Sequence, residues 1–139
     1  MKEITLEARV ENLDTVLTFL DTELEELECP IKEQTMLDIA LEEMFVNVAH
    51  YAYTPEVGIV NIRLEVLEEP LGVEITLTDS GIPYDPLAKA DPDITLSAEE
   101  REIGGLGIYM VKKSMDEVAY KHEDGHNIFS MKKFFESEE

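Results

Sequence analysis

The sequence predicts an α+β fold, a two-layer α/β sandwich whose mixed, mostly antiparallel sheet carries its helices on one face. Three observations lead there. Strand-like and helix-like stretches follow one another in the order β-α-α-β-β-α-β-β. Two pairs of strands are each joined directly through a short segment with turn chemistry, as antiparallel hairpins are. With 139 residues, 44% of them hydrophobic and 31% charged, the chain suits one domain, 1–139, around one core.

Residues 2–10 alternate loosely, with Ile4, Leu6, Ala8 and Val10 on one side, which predicts a half-buried strand. Asn12 or Asp14 can cap the helix that follows. Its apolar residues, Leu13, Val16, Leu17, Leu20, Leu24 and Leu27, keep the three-and-four spacing. It should stop before Cys29-Pro30, since a residue preceding proline leaves the helical region. A second helix is predicted over about 32–53, with the stripe Leu37, Leu41, Met44, Val48 and Ala52, broken by Thr54-Pro55-Glu56-Val57-Gly58.

Strands are expected at 59–67 and 73–79, turning through Glu68-Glu69-Pro70-Leu71-Gly72. The segment 80–105 is rich in Asp, Pro and Gly and too long for a tight loop, which suggests a lid at about 85–103. A third helix at 106–114 and strands at 117–122 and 128–135, joined through Glu123-Asp124-Gly125-His126, complete the order.

Composition narrows the function. A net charge of −21 repels phosphate backbones and anionic lipid, so neither direct nucleic-acid binding nor membrane binding is expected. Such acidity maintains solubility or complements a basic protein partner. No run is long and apolar enough to span a bilayer, and no export signal opens the chain, so a cytoplasmic protein is expected. The single cysteine, Cys29, reads as a partly buried thiol at a helix end. His122 and His126 lack metal-ligand spacing with other donors.

Three constellations can carry chemistry. Glu43 and Asn47 lie one turn apart beside the apolar stripe of the second helix. A carboxylate there can deprotonate a nucleophile and an amide oxygen can ligate Mg²⁺, though the same pair is also ordinary on a solvated helix face. Asp79-Ser80-Gly81-Ile82-Pro83-Tyr84-Asp85-Pro86 ends a strand on an acid, and Gly81 permits close approach. The acid can accept a hydrogen bond from an exocyclic amine, and Asp-Ser-Gly is equally plain turn chemistry. Gly104-Gly105-Leu106-Gly107 opens a helix, where exposed N–H groups suit phosphate, or serves as a hinge.

Taken together, in order and on these elements, the three resemble the N, G1 and G2 boxes of the GHKL (Bergerat-fold) ATPases over nearly the whole chain. The run Asp79 to Pro86 and the segment Met115-Asp116-Glu117-Val118 are similar to those of the anti-sigma serine-kinase branch. That resemblance implies a Bergerat ATP-binding fold and a serine/threonine protein kinase using ATP and Mg²⁺. Glu43 would be the general base and Asn47 the Mg²⁺ ligand. Asp79 would hold adenine with Gly81 beside the base, and Gly104, Gly105 and Gly107 would cradle the phosphates. Arg101 sits where a lid arginine can reach the terminal phosphate, or it pairs with Glu99 or Glu100. The implied partners are a sigma factor and a STAS-type anti-anti-sigma protein, with a homodimer as assembly.

The sequence departs from the branch in two places. Tyr51 occupies the usual histidine position, with His50 shifted by one, and Gly125-His126-Asn127 stands where many relatives carry Gly-Thr. Three rivals remain: a non-catalytic nucleotide-binding partner-switch module, the detached ATP domain of a histidine kinase, and an acidic protein-binding scaffold.

Overall fold

The computed structural model describes residues 1–49, 58–68, 70–83 and 105–135. The sheet consists of β1 (Lys2–Glu7), β2 (Ile59–Leu67), β3 (Gly72–Asp79), β4 (Glu117–Glu123) and β5 (His126–Phe134) in the order β1-β2-β3-β5-β4. The helices are α1 (Leu13–Glu26), α2 (Ile31–Asn47) and α3 (Gly105–Ser114). Every pairing between these strands is antiparallel. The predicted sandwich and element order hold, and the sheet is simpler than the mixed one expected.

β1 ends earlier than its alternation suggests. The chain turns at Ala8–Arg9 into a 3₁₀ turn at Val10–Asn12, which leaves Val10 exposed. Asn12 precedes α1 but does not cap it. Its side-chain amide donates instead to the Glu7 carbonyl at 2.9 Å and holds that turn.

α1 ends as Cys29-Pro30 requires. Glu28 takes a left-handed φ of 55°, and the Cys29 N–H bonds the Leu24 carbonyl at 3.0 Å. With the Glu28 N–H on the Glu25 carbonyl, this is a Schellman termination. Cys29 is half-buried, and burial, then the charges of Glu33 and Asp38, push its thiol up to about 11, far from an activated nucleophile.

The strand alternation builds the core. Ile62, Leu77 and Phe129 form one row across the sheet, and Leu64, Ile75 and Met131 the next. Leu37, Leu41, Met44, Phe45 and Val48 of the second helical segment are buried with them, alongside Val16, Leu20 and Leu24 of α1. Phe45 and Ala40 widen the stripe predicted for α2. The predicted extension of that helix beyond residue 49, including Ala52, lies outside the described residues.

Two hairpins close the sheet. Asp124 and Gly125 both have positive φ, 52° and 78°, so β4 and β5 join through a type I′ Asp-Gly turn. At the other end of β3, Gly72 lies against β5, and a Cβ there would meet the Lys133 carbonyl oxygen at 2.5 Å. The Met115–Val118 segment has a structural role in this frame. Asp116 accepts the Phe134 N–H through Oδ2 at 2.7 Å and donates its own N–H to the Lys132 carbonyl, fastening the end of α3 to β5.

Candidate functional site

The row beyond Ile62–Leu77–Phe129 changes from apolar to polar. There Val60 pairs with Asp79, and Asp79 with Asn127. The alternation that buries Ile75 and Leu77 therefore also buries Asp79, 4% exposed, and the one that buries Phe129 also buries Asn127, 3% exposed. Above them Met44 and Val48 come from the α2 side. With Leu77, Asp79, Tyr120, Asn127 and Phe129 they line a shallow, partly open pocket.

The polar end of this pocket is tightly bonded. Asp79 Oδ1 accepts from the Gly81 N–H at 2.8 Å and from Asn127 Nδ2 at 2.9 Å. Asn127 Nδ2 also donates to the Ile82 carbonyl at 2.9 Å, and its Oδ1 accepts from the Tyr120 hydroxyl. Both bonds to Asp79 fall on one oxygen, so Oδ2 is the atom left for a ligand.

Glu43 and Asn47 sit one turn apart on α2, next to the pocket-lining Met44 and Val48. Asn47 is buried, and its Nδ2 donates to the Glu43 carbonyl at 2.6 Å. That bond fixes which end of the amide is nitrogen and leaves Oδ1 as a hard oxygen donor. Burial, and then the charge of Glu42, raise the pKa of Glu43, which makes it a better proton acceptor once ionised.

Gly105 is the first residue of α3 and Gly107 lies in its first turn. That turn carries no acidic residue and the last turn carries Lys112 and Lys113, charges that suit the helix dipole. Gly104, Arg101, His50, Tyr51 and the lid at 85–103 lie outside the described residues. The structure thus sets Asp79 at the end of one pocket with Gly81 bonded to it, and puts Glu43 and Asn47 on the helix that contributes Met44 to that pocket.

Asn127 and Tyr120 are the residues that sequence reasoning did not assign to the site. The signal was present in the β4–β5 hairpin. An Asp-Gly turn fixes the register, and the register places Asn127 on the same face as Phe129 and opposite Asp79.

A five-stranded antiparallel sheet backed by helices, with an acid-ended pocket between the sheet and α2, is the arrangement that the resemblance to the GHKL ATPases implies, and the family comparison agrees. Residues 6–133 match the histidine kinase-like ATPase domain, and the chain belongs to that family. Serine-protein kinase RsbW of Bacillus cereus strain AH187 is 30% identical over 107 residues, covering 74% of this chain and 65% of that protein. Serine-protein kinase RsbW of Bacillus anthracis strain CDC 684 / NRRL 3495 matches to the same extent. The chain thus spans about 65% of the length of these curated relatives.

Among solved structures, the RsbU and RsbW domains of Rv1364c from Mycobacterium tuberculosis superpose with a TM-score of 0.63 at 14% identity, covering 99% of this chain and 34% of that one. The histidine kinase domain of a blue-light activated histidine kinase from Erythrobacter litoralis EL346 gives 0.54 at 18% identity, covering 75% and 45%. These two show the shared fold. Among the described residues, no helix is long and apolar enough to cross a membrane.

Proposed function

We propose that this protein is a cytoplasmic, ATP-binding anti-sigma factor of the serine-protein kinase type, a single domain that phosphorylates a serine on a STAS-type partner and also binds a sigma factor. The observation that carries the reading is the Asp79 carboxylate at the end of an apolar pocket, pinned through one oxygen with the other open. Adenine would be held there by its 6-amino group donating to Asp79 Oδ2, with Met44, Val48 and Phe129 supplying apolar surface. Gly81 leaves room beside the base. The family and the similarity to serine-protein kinases RsbW support the assignment.

The residues on α2 fit a magnesium–triphosphate complex. Mg²⁺ keeps several waters and binds through one or two protein oxygens plus substrate phosphates, which suits the single oriented Oδ1 of Asn47. The ion supplies charge neutralisation to the phosphates. By the family resemblance, the backbone N–H groups at Gly104, Gly105 and Gly107 would cradle those phosphates, and Arg101 would serve the terminal one. Glu43 takes the proton from the incoming serine hydroxyl. Phosphoryl transfer depends mainly on positioning and electrostatics, so this small set is sufficient.

Glu43→Gln is the decisive variant. It should bind ATP as the wild type does, yet transfer phosphate to the serine of a STAS-type protein at least about a hundredfold more slowly. Transfer at the wild-type rate by Glu43→Gln would remove Glu43 from the chemistry. Transfer by neither protein, with ATP binding intact, would replace the kinase by a non-catalytic partner switch.

A further inference from the structure

Asn127 has a more defined position than a buried amide needs for packing alone. Its Nδ2 faces two acceptors, Asp79 Oδ1 and the Ile82 carbonyl, each at 2.9 Å, so that atom must be the nitrogen. Its Oδ1 then faces the Tyr120 hydroxyl, which donates to it. Each Nδ2 hydrogen has an acceptor and Oδ1 has a donor, with the residue only 3% exposed. The amide cannot flip without setting its oxygen against two others and its nitrogen against a donor.

We propose that Asn127, oriented by Tyr120, is a positioning residue that commits Asp79 Oδ1 inside the protein, presents Oδ2 to the pocket purely as an acceptor, and thereby selects a 6-amino purine over a 6-oxo purine. The proposal rests on the nucleotide reading of this pocket and names what sets its selectivity. A 6-amino group donates to Oδ2, whereas a 6-oxo group there places acceptor against acceptor. Buried polar groups left unpaired in this way discriminate strongly between ligands. The bond to the Ile82 carbonyl also ties the turn after β3 to β5, so the carboxylate and Gly81 move as one piece.

The test compares the affinities of ADP and inosine diphosphate, which differ at the purine 6-position and in the proton that the 6-oxo base carries on N1, in the presence of Mg²⁺. The wild type should prefer ADP by about a hundredfold or more. Asn127→Asp keeps the size of the side chain but puts a second carboxylate beside Asp79. The two acids then share a proton that can be donated to a 6-oxo group. The ADP preference should fall at least about tenfold, and fall further as the pH is lowered. Tyr120→Phe frees the amide oxygen and should lower the preference a few-fold.

A purely structural role for Asn127 would weaken both nucleotides together. An unchanged ratio in both variants therefore overturns the proposal while leaving the nucleotide site standing. If Asn127→Asp fails to fold, the ratio in Tyr120→Phe decides alone. A wild type that binds ADP and inosine diphosphate equally also overturns the proposal, and one that binds neither overturns the nucleotide reading with it.

Discussion

Asp79 and Asp38 both place a carboxylate where water is scarce, one at the end of β3 and the other on α2, facing α1. Asp79 is surrounded by donors, the Gly81 N–H and Asn127 Nδ2. Asp38 is surrounded by acids. Its Oδ1 is buried with no hydrogen-bond partner, and Asp21 and Glu25 of α1 face it. Burial first, and then the hydrogen bond and charge of Asp21, push its carboxyl up to about 7. A hydrogen bond between two acids needs a proton on one of them, so this pair retains one toward neutrality. A buried acid supplied with donors becomes a fixed acceptor, suited to reading a ligand. One set among acids becomes a proton store in a helix–helix seam.

Removing the donors from Asp79 should produce the largest effect. Asn127→Leu leaves its carboxylate with the Gly81 N–H alone, beside new apolar surface. We expect a loss of about 2–3 kcal/mol in urea unfolding at pH 7. A loss under about 0.5 kcal/mol would mean that the bond from Asn127 does little to hold Asp79.

Asp38→Asn changes the other side of the comparison. The folded-state pKa of Asp38, about 7, lies above its ordinary value of 3.8, so the native state binds the extra proton between them. The stability linked to that proton is fully present below about pH 4 and is lost as pH rises through about 7. Asp38→Asn should therefore be more stable than the wild type by about 1 kcal/mol at pH 8, a figure reduced for the solvent that reaches this partly buried residue. At pH 5 the gain should be smaller, and below about pH 4 the two should melt alike. A gain at pH 5 equal to that at pH 8 would contradict the shared proton.

The smallest effect concerns Gln34, whose Nε2 donates to Asp21 Oδ1 at 3.2 Å. It is the one neutral side-chain donor seen on this acidic pair among the described residues. Gln34→Ala should cost about 0.5 kcal/mol at pH 8 and raise the carboxyl titration near pH 7 a little further, followed by carbonyl-detected NMR. No movement of that titration would show that Gln34 does not bear on the pair.

The comparison also shows why some of the molecule could be read from its residues and some could not. Period-two alternation placed Leu77 and Asp79 on one face, and the Asp-Gly turn announced the β4–β5 hairpin, so the sheet and its polar end were legible. The three-and-four spacing likewise placed Met44 and Val48 inward. Asn127 was not legible as a site residue, because its role depends on facing Asp79 across strands 48 residues apart. The acidic seam was hidden for the same reason, since Asp21 and Asp38 meet only where α1 packs on α2. Asn12 failed as a cap because a tertiary acceptor, the Glu7 carbonyl, took its amide.

The account centres on the pocket between α2 and the β3–β5 pair as a nucleotide site read by Asp79. Calorimetric titration of the wild type and of Asp79→Asn with ATP, with and without Mg²⁺, tests it most directly. In the variant, the amide oxygen stays with the Gly81 N–H and Asn127 Nδ2, which turns its own nitrogen toward the base. The account predicts saturable binding by the wild type, strengthened by Mg²⁺, and weakening of at least about tenfold in Asp79→Asn. No binding by the wild type at millimolar ATP, or equal binding by the two proteins, would contradict it.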